Sequence, residues 1–229
     1  MPPKSDATGG SQSTVPESDP SGPSREASAP RGDAADRAKS FGADNPDITR
    51  VDTIFADMSG VVRGKRHPIA QLPKIFRDGV ALPGSAFLLD ALGENHDPSG
   101  RGFSDGDPDV LAWPVPETLA RVPWTDQPLA QVLLQFFDPD GTPHRFDSRN
   151  VLARTAARLG ALGLTPVVAF ELEFYLIDPE RTADGSPQPP VSPVTGERDS
   201  ATQVYGMADV DAYAPLLEDI VDCCADQGV

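Results

Sequence analysis

The stretch VVAFELEFYLID, residues 167–178, is one of the most apolar runs of the chain, yet it contains Glu171 and Glu173. Its β-branched and aromatic residues predict a β-strand. Because successive side chains of a strand point to opposite faces, we expect the two glutamates to share one face. The opposite face, which we expect to be buried, carries Phe170, Leu172 and Phe174.

Three interpretations of this glutamate pair are open. An amphipathic strand would present both carboxylates to water or to Lys and Arg partners, although Val167, Ala169, Tyr175 and Ile177 share their face. A catalytic carboxylate pair is the second interpretation, but such pairs usually come from different strands or loops. A divalent-cation site is the third, because Mg²⁺ and Mn²⁺ bind carboxylate oxygens held at a fixed geometry. Spacing alone does not choose among them.

Helical patterns flank this strand on both sides. Before it, DSRNVLARTAARLGALGL predicts a helix with Asp147 or Ser148 as its N-cap and Gly163 just past its end. The predicted apolar face of this helix consists of Val151, Leu152, Thr155, Ala156 and Leu159. After the strand, residues 179–204 form a polar, proline-rich loop.

The last predicted helix has apolar residues at helical spacing and ends near Val229. Pro215 must lie in its first turn, since proline in a helix interior removes a hydrogen bond. The adjacent cysteines Cys223 and Cys224 suit neither a disulfide framework nor a zinc site, so we expect them in the core. This helix–strand–helix unit has no complete core of its own, and we expect the domain to be truncated.

Shorter elements precede that unit. The stretch ITRVDTIFADMSGVV predicts a β-hairpin with a turn at Ser59-Gly60, and QLPKIFRDGVAL predicts a short helix that ends near Gly79. Proline-separated short strands follow up to Pro128. Residues 130–137 form a strongly apolar strand, which is followed by a DPDG turn. These features indicate a small α+β domain.

A basic cluster lies on the second arm of the hairpin and consists of Arg63, Lys65, Arg66 and His67. One interpretation is a charged sheet edge, which discourages edge-to-edge aggregation. A phosphate contact or a contact with a neighbouring subunit is the other.

Composition narrows the classes of function. The chain of 229 residues has a formal net charge of −16, which disfavours binding to nucleic acid or anionic membranes. It contains no apolar run long enough to span a bilayer, and its N-terminus lacks the apolar core of a secretory signal, so we expect a cytoplasmic location. Residues 1–46 are rich in Pro, Ser, Gly and Ala, which predicts a disordered tail.

Five stretches resemble the glutamine synthetase family, and the resemblance covers roughly residues 47–229. AFELEFYLID after the DSRNVL helix is similar to the start of the family's catalytic domain. GVALPGSAFLLD, GDPDVLAWPVPETLARVPW and DPDGTPHRFDSRNVL resemble its N-terminal domain. FADMSGVVRGKRHP is similar to the branch that includes γ-glutamylpolyamine synthetases.

The resemblance implies an α+β fold with a β-Grasp-like domain, residues 47–143, which follows the tail of residues 1–46 that composition predicts to be disordered. The beginning of an incomplete α/β catalytic domain of glutamine synthetase type, residues 144–229, follows. It also implies that Glu173 binds the metal on the glutamate side and Glu171 the metal on the nucleotide side. Tyr205 would lie beside the amine site, with a plain packing role as the alternative.

By the same resemblance, the activity is an ATP-dependent carboxylate–amine ligase that uses Mg²⁺ or Mn²⁺, with ATP as co-substrate. Glutamate would be joined, through γ-glutamyl phosphate, to ammonia or more readily to an organic amine. The family's ammonium-binding aspartate is replaced here, because LPGSA puts Pro83 at its position. Proline neither attracts ammonium nor accepts its proton.

The remaining family ligands fall beyond residue 229, so we expect this chain alone to be inactive and the full-length protein to form a ring-shaped homo-oligomer. The alternative function is a non-catalytic, glutamine synthetase-like binding or regulatory protein, because a fold alone does not establish an activity.

Overall fold

The described chain contains a curled β-sheet of parallel and antiparallel strands together with five α-helices. The computed structural model describes residues 31–95, 106–199 and 204–229. The helices are α1 Arg31–Asp44, α2 Leu72–Asp78, α3 Ser148–Ala161, α4 Met207–Ala212 and α5 Ala214–Gln227. The strands are β1 Arg50–Ala56, β2 Val62–Pro68, β3 Val80–Pro83, β4 Asp109–Pro114, β5 Ala120–Arg121 and β6 Ala130–Phe137.

The six strands run in the order β2-β1-β6-β4-β3, and β5 pairs with β6. Only the β1–β6 pair is parallel, with Val51 opposite Ala130; the other described pairs are antiparallel. The predicted hairpin, the helix ending at Gly79 and the strand over residues 130–137 are all confirmed. These elements depend on local alternation and on turn residues, which the sequence displays directly.

One face of the sheet carries the core. Alternate residues of β6 are fully buried, and so are alternate residues of β1 and β4. Helix α2 covers this face with Leu72, Ile75 and Phe76. Phe55, Phe87 and Phe136 pack against each other with ring centroids 4.5–5.1 Å apart, in tilted and edge-to-face arrangements. Such pairs contribute beyond the apolar area that they bury.

The expectation of a disordered tail up to residue 46 is wrong for residues 31–44, which form α1. Ala35 and Ala38 of this helix are buried in the same cluster as Ile48 and Leu72. Small side chains let α1 lie close to α2, so the helix folds by docking and not by a strong apolar stripe of its own. Residues 1–30 lie outside the described part of the chain.

Buried polar groups join the end of β6 to the start of α3. Asp147 is the N-cap, as expected: its Oδ1 accepts from the Arg149 amide and its Oδ2 from the Phe136 amide, both at 2.9 Å. Asn150 is buried and donates to the carbonyl oxygens of Phe136, at 2.8 Å, and His144, at 3.1 Å. The buried side chains of Asp147 and Asn150 thereby have hydrogen-bond partners, as burial requires.

The prediction of a β-strand over residues 167–178 is wrong for the described structure. Residues 164–178 form no helix and no strand in the structure, and none of the described strands pairs with them. The expected burial of one face is also wrong, since Phe170 is 84% exposed and Leu172 is 86% exposed. The physical reason is that a strand exists only with a hydrogen-bonded partner.

The two predicted helices exist, but their apolar faces are less buried than expected. Val151 and Leu152 of α3 are exposed, while Gly163 adopts the left-handed conformation just past the helix end. Pro215 lies in the first turn of α5, as expected. The core placement of the cysteines is wrong: Cys224 is exposed and Cys223 is half-buried. No helix within the described ranges has the length and hydrophobicity needed to cross a bilayer.

Asp57 holds the β1–β2 turn together. Its Oδ1 accepts from the amides of Ser59 and Val61, each at 2.9 Å, and its Oδ2 accepts from Arg63 Nε at 2.5 Å. Burial opposes ionisation of this carboxyl, but the hydrogen bonds from Arg63, Val61 and Ser59 outweigh it and lower the pKa of Asp57 below 3.8. The ionised form is therefore the one that the fold stabilises.

Replacing Asp57 with Ala should lower the free energy of unfolding at pH 7 by about 1–3 kcal/mol, because two amides and a guanidinium lose their acceptor. Since the pKa of Asp57 is lower in the folded chain, its contribution is complete above the unfolded value of 3.8 and disappears as pH falls through the folded value. Urea unfolding at pH 7 and at low pH measures both quantities. A stability difference that stays constant on acidification would contradict the argument.

Gly64 and Gly42 provide a matched pair of glycine substitutions. A Cβ on Gly64 would overlap the Thr53 carbonyl and lie 3.1 Å from Ile54 Cα, whereas no described atom lies within 4 Å of a Cβ on Gly42 in α1. Gly64→Ala should destabilise the chain by about 1–3 kcal/mol. Gly42→Ala should stabilise it by up to about 1 kcal/mol through helix propensity. Thermal unfolding followed by circular dichroism checks both, and equal effects would contradict the close β1–β2 packing.

Candidate functional site

Glu171 and Glu173 lie on an exposed segment without helix or strand, between α3 and the loop of residues 179–199. The segment is anchored at its far end, where Asp178 accepts from Arg198 at 2.9 Å and its amide donates to Gln188. Both glutamate side chains are exposed. The structure therefore leaves the three interpretations of the pair open.

The described residues contain no group of three or more His, Cys, Asp or Glu side chains arranged to hold a metal ion. Glu171 and Glu173 nevertheless suit a partial ligand set. Mg²⁺ prefers oxygen donors, and in nucleotide-dependent enzymes it is typically held by one or two carboxylates together with substrate phosphates and water. The chemistry of the pair thus fits a divalent ion, but the pair alone does not complete its coordination.

Tyr205 is not brought to the glutamate pair by any described contact. It has a positive φ of 58° and is 99% exposed. An exposed ring makes little packing contact with the described residues, so both the amine contact and the packing role stay predictions. A left-handed conformation is uncommon for a residue other than glycine, and it places Tyr205 in a tight bend before α4.

The LPGSA stretch forms a compact corner beside β4. Strand β3 ends at Pro83, and a single 3₁₀ turn over Gly84–Phe87 follows. The Ser85 amide donates to Asp107 Oδ1 at 3.0 Å and the Ser85 hydroxyl donates to Asp107 Oδ2 at 2.8 Å. A carboxylate therefore lies at this corner, but it comes from 22 residues downstream and not from the position of Pro83.

The basic cluster is engaged within the chain, and β2 is an edge strand of the sheet, which favours the charged-edge interpretation. Arg66 pairs with Asp52 at 2.7 Å, and Lys65 donates to the Ala81 carbonyl at 3.2 Å. His67 lies 3.2 Å from the Thr53 hydroxyl, and burial, followed by the charge of Lys65, lowers the pKa of His67.

His144 was missed by the sequence analysis. Its Nδ1 lies 2.8 Å from Asp138 Oδ1, and its ring lies beside those of Phe87, at 5.3 Å, and Phe146, at 5.8 Å. The available signal was the DPDG turn, which returns the chain so that His144 meets the residue six positions earlier. A turn alone does not indicate that the histidine is buried, so this signal is weak.

Comparison with known proteins gives a consistent family. Residues 145–229 match the sequence profile described as "Glutamine synthetase, catalytic domain". Gamma-glutamylputrescine synthetase PuuA of Escherichia coli (strain K12) is 39% identical over 175 residues, which cover 76% of this chain and 37% of PuuA. The glutamine synthetase of Pyrococcus horikoshii is 33% identical over 129 residues, which cover 56% of this chain and 26% of that protein.

Among solved structures, the GmaS/ADP complex in conformation 1 has a TM-score of 0.55 and 21% sequence identity, covering 85% of this chain and 39% of that chain. At this identity the likeness concerns the fold. The chain spans 37% of the length of PuuA, so it corresponds to part of that relative. The catalytic-domain profile and the identity with PuuA together show that this chain belongs to the glutamine synthetase family.

Proposed function

We propose that this chain is part of an ATP-dependent ligase that joins the γ-carboxylate of glutamate to an organic amine. The observation that carries the proposal is the E-x-E segment, Glu171 and Glu173, within the residues that match the glutamine synthetase catalytic domain. The name of PuuA, a γ-glutamylputrescine synthetase, supports an amine acceptor.

The proposed reaction has two steps. A carboxylate oxygen of glutamate attacks the γ-phosphorus of ATP, and the bond to ADP breaks, which gives γ-glutamyl phosphate. The amine nitrogen then attacks the acyl carbon, phosphate leaves with the electrons of the C–O bond, and the nitrogen loses a proton. Most of the catalytic demand is neutralisation of phosphoryl charge.

Glu171 and Glu173 are the residues of this chain that we assign to divalent ions, Glu173 on the glutamate side and Glu171 on the nucleotide side. A bound Mg²⁺ or Mn²⁺ supplies charge neutralisation at phosphoryl oxygens. Because the two carboxylates lie two residues apart, binding of ions to both requires the ordering of only one short segment. Tyr205, exposed and close in sequence to α4, is proposed as a contact for the amine.

An organic amine is favoured over ammonia by the LPGSA corner. Pro83 provides no acceptor for an ammonium proton, and Ser85 is buried with its hydroxyl committed to Asp107. A larger amine can gain binding energy from its substituent, which ammonia cannot. The charge and shape around the substituent then determine specificity.

Further parts of the proposal concern the whole protein. Residues 47–143 would form a β-Grasp-like domain, supported by a mixed sheet with α2 across one face. Residues corresponding to the rest of PuuA's length would provide strands beside the exposed segment, further metal ligands and the interfaces of a ring-shaped homo-oligomer. Such exposed apolar segments typically mark interaction surfaces. Glutamate and ATP are cytoplasmic metabolites, so the proposed location is the cytoplasm.

Glu173→Gln, made in the protein expressed from its complete gene, should lower kcat/KM for glutamate-dependent phosphate release by about 100-fold, as loss of a metal-site interaction does. The assay contains ATP, Mg²⁺, glutamate and either an organic amine or ammonium. Phosphate release should depend on the organic amine. It should rise less with ammonium, because Pro83 provides no acceptor for an ammonium proton.

Glu180→Gln is the matched control, because Glu180 has the same chemistry and is exposed in the adjacent loop. It should retain the rate of the unaltered protein. Equal rates for Glu173→Gln and Glu180→Gln would exclude a metal role for Glu173. Absence of phosphate release with every amine would instead favour the non-catalytic binding or regulatory function.

A further inference from the structure

An open cleft lies where the β1–β2 edge of the sheet meets the loop between β5 and β6. It has a volume of about 550 Å³ and is lined by Arg50 of β1, by Arg66 of β2 and by residues 124–129 of that loop. Pockets for small molecules have volumes of about 300–1,000 Å³. The described lining residues include neither the glutamate pair nor the LPGSA corner, so the cleft is separate from the residues assigned to the ligase.

The two arginines lie on the same face of the sheet, which is the face opposite the core. Alternate residues of β1 are buried, so Arg50 and Asp52 point to the other face. Asp52 lies opposite Arg66 in the β1–β2 ladder, which places Arg66 on that face as well. The cleft is therefore lined by two guanidinium groups from neighbouring strands.

These guanidinium groups provide hydrogen-bond donors for an anion. Arg50 is exposed and makes no hydrogen bond or ion pair with a described residue. Arg66 is partly committed, because its Nε and Nη2 donate to the two carboxylate oxygens of Asp52, both at 2.7 Å. A guanidinium carries five N–H groups, so Arg66 retains further donors. Pairs of such donors match the two oxygens of a carboxylate.

Trp124 provides a flat apolar surface in the same cleft, and it is 58% exposed. Hydrogen bonds within the loop hold it in place. The Val122 amide donates to the Leu129 carbonyl at 2.8 Å. The Thr125 hydroxyl donates to the Gln127 carbonyl at 2.9 Å. An aromatic ring of a ligand would therefore find a fixed indole on which to pack in an offset or edge-to-face arrangement.

Asp126 disfavours a ligand of high negative charge. Its carboxylate lies in the same loop, is exposed and lines the cleft. A phosphate dianion would meet stronger repulsion from Asp126 than a carboxylate monoanion, because the Coulomb energy scales with the product of the charges. The formal net charge of −16 acts in the same direction. A ligand with one carboxylate and one aromatic ring fits this combination of groups.

We propose that this cleft binds an aromatic carboxylate. Arg50 is the principal donor to the carboxylate group, Arg66 is a further donor, and the ring of the ligand packs on the indole of Trp124. The proposal goes beyond the ligase function, because binding of such an anion requires neither ATP nor a divalent ion. It also gives Arg66, a member of the basic cluster, a role besides that of a charged sheet edge.

Titration of the ¹⁵N-labelled chain with benzoate, followed through the indole N–H signals, tests this proposal. The chain has two tryptophans, and Trp124→Phe identifies the signal of Trp124. Benzoate should shift that signal saturably. Benzyl alcohol lacks the charge and cyclohexanecarboxylate lacks the aromatic ring, so each should bind at least about twofold more weakly than benzoate. Inorganic phosphate should also bind more weakly, because of Asp126.

Arg50→Gln should weaken benzoate binding about twofold to fivefold, the size expected for loss of one exposed ion pair. Arg154→Gln is the matched control, because it makes the same change of charge at an exposed position of α3 that does not line the cleft. It should change the affinity by less than about 1.5-fold, since salt screens distant charges. Asp126→Asn should instead strengthen binding, by up to about threefold, because it removes a repulsive charge.

Five results would overturn the proposal. They are no saturable shift with benzoate, an equal affinity for benzyl alcohol or cyclohexanecarboxylate, an equal affinity for phosphate, equal weakening by Arg50→Gln and Arg154→Gln, and weaker binding in Asp126→Asn. Because the titration contains no ATP and no glutamate, its outcome is independent of whether the protein is an active ligase.

Discussion

Phe136 is the residue that connects the main parts of the described structure, through both its side chain and its backbone. Its ring packs in the aromatic cluster with Phe55 and Phe87, and its amide donates to the Asp147 carboxylate at 2.9 Å. Its carbonyl oxygen accepts from the amide of His144 and from the side chain of Asn150. One residue thus joins the core, the turn after β6 and the start of α3. Because these groups are buried, loss of any partner leaves a polar atom unsatisfied, which is costly.

Much of the fold could be predicted because its signals are local. The alternation in residues 130–137 and the glycine at position 79 each specify an element without reference to distant residues. Asp147 could be predicted as a cap for the same reason. Helix α1 could not, because its composition is that of a disordered segment. It folds because Ala35 and Ala38 fit against a surface formed by residues distant in sequence.

The candidate site divides in the same way. The sequence shows the glutamate pair and a β-type pattern around it, but a pattern does not supply a hydrogen-bonding partner. His144 could not be found from the sequence, since its burial depends on contact with Phe87, a residue distant in the sequence. The roles proposed for Glu171 and Glu173 come from the family resemblance, because their spacing left three interpretations open. Chemistry held by long-range contacts is therefore the part that a single sequence conceals.

Helix α3 separates a part of the chain with a buried core from a part whose apolar side chains are exposed. Its N-terminal end is fixed to the sheet by Asp147 and Asn150, which are both buried, whereas Leu152 is already 67% exposed. In the described residues up to residue 150, the core and the hydrogen bonds of Asp147 and Asn150 stabilise the chain. From residue 151 to residue 177 its apolar side chains are mostly exposed, and that area can contribute to stability only when another surface covers it. The sheet thus fixes the start of α3, and the order of the segment after α3 depends on further contacts. Glu171 and Glu173 lie on that segment. The geometry of these glutamates is consequently set by the surface that covers the segment, whereas the LPGSA corner is positioned by β3 and by its pairing with β4.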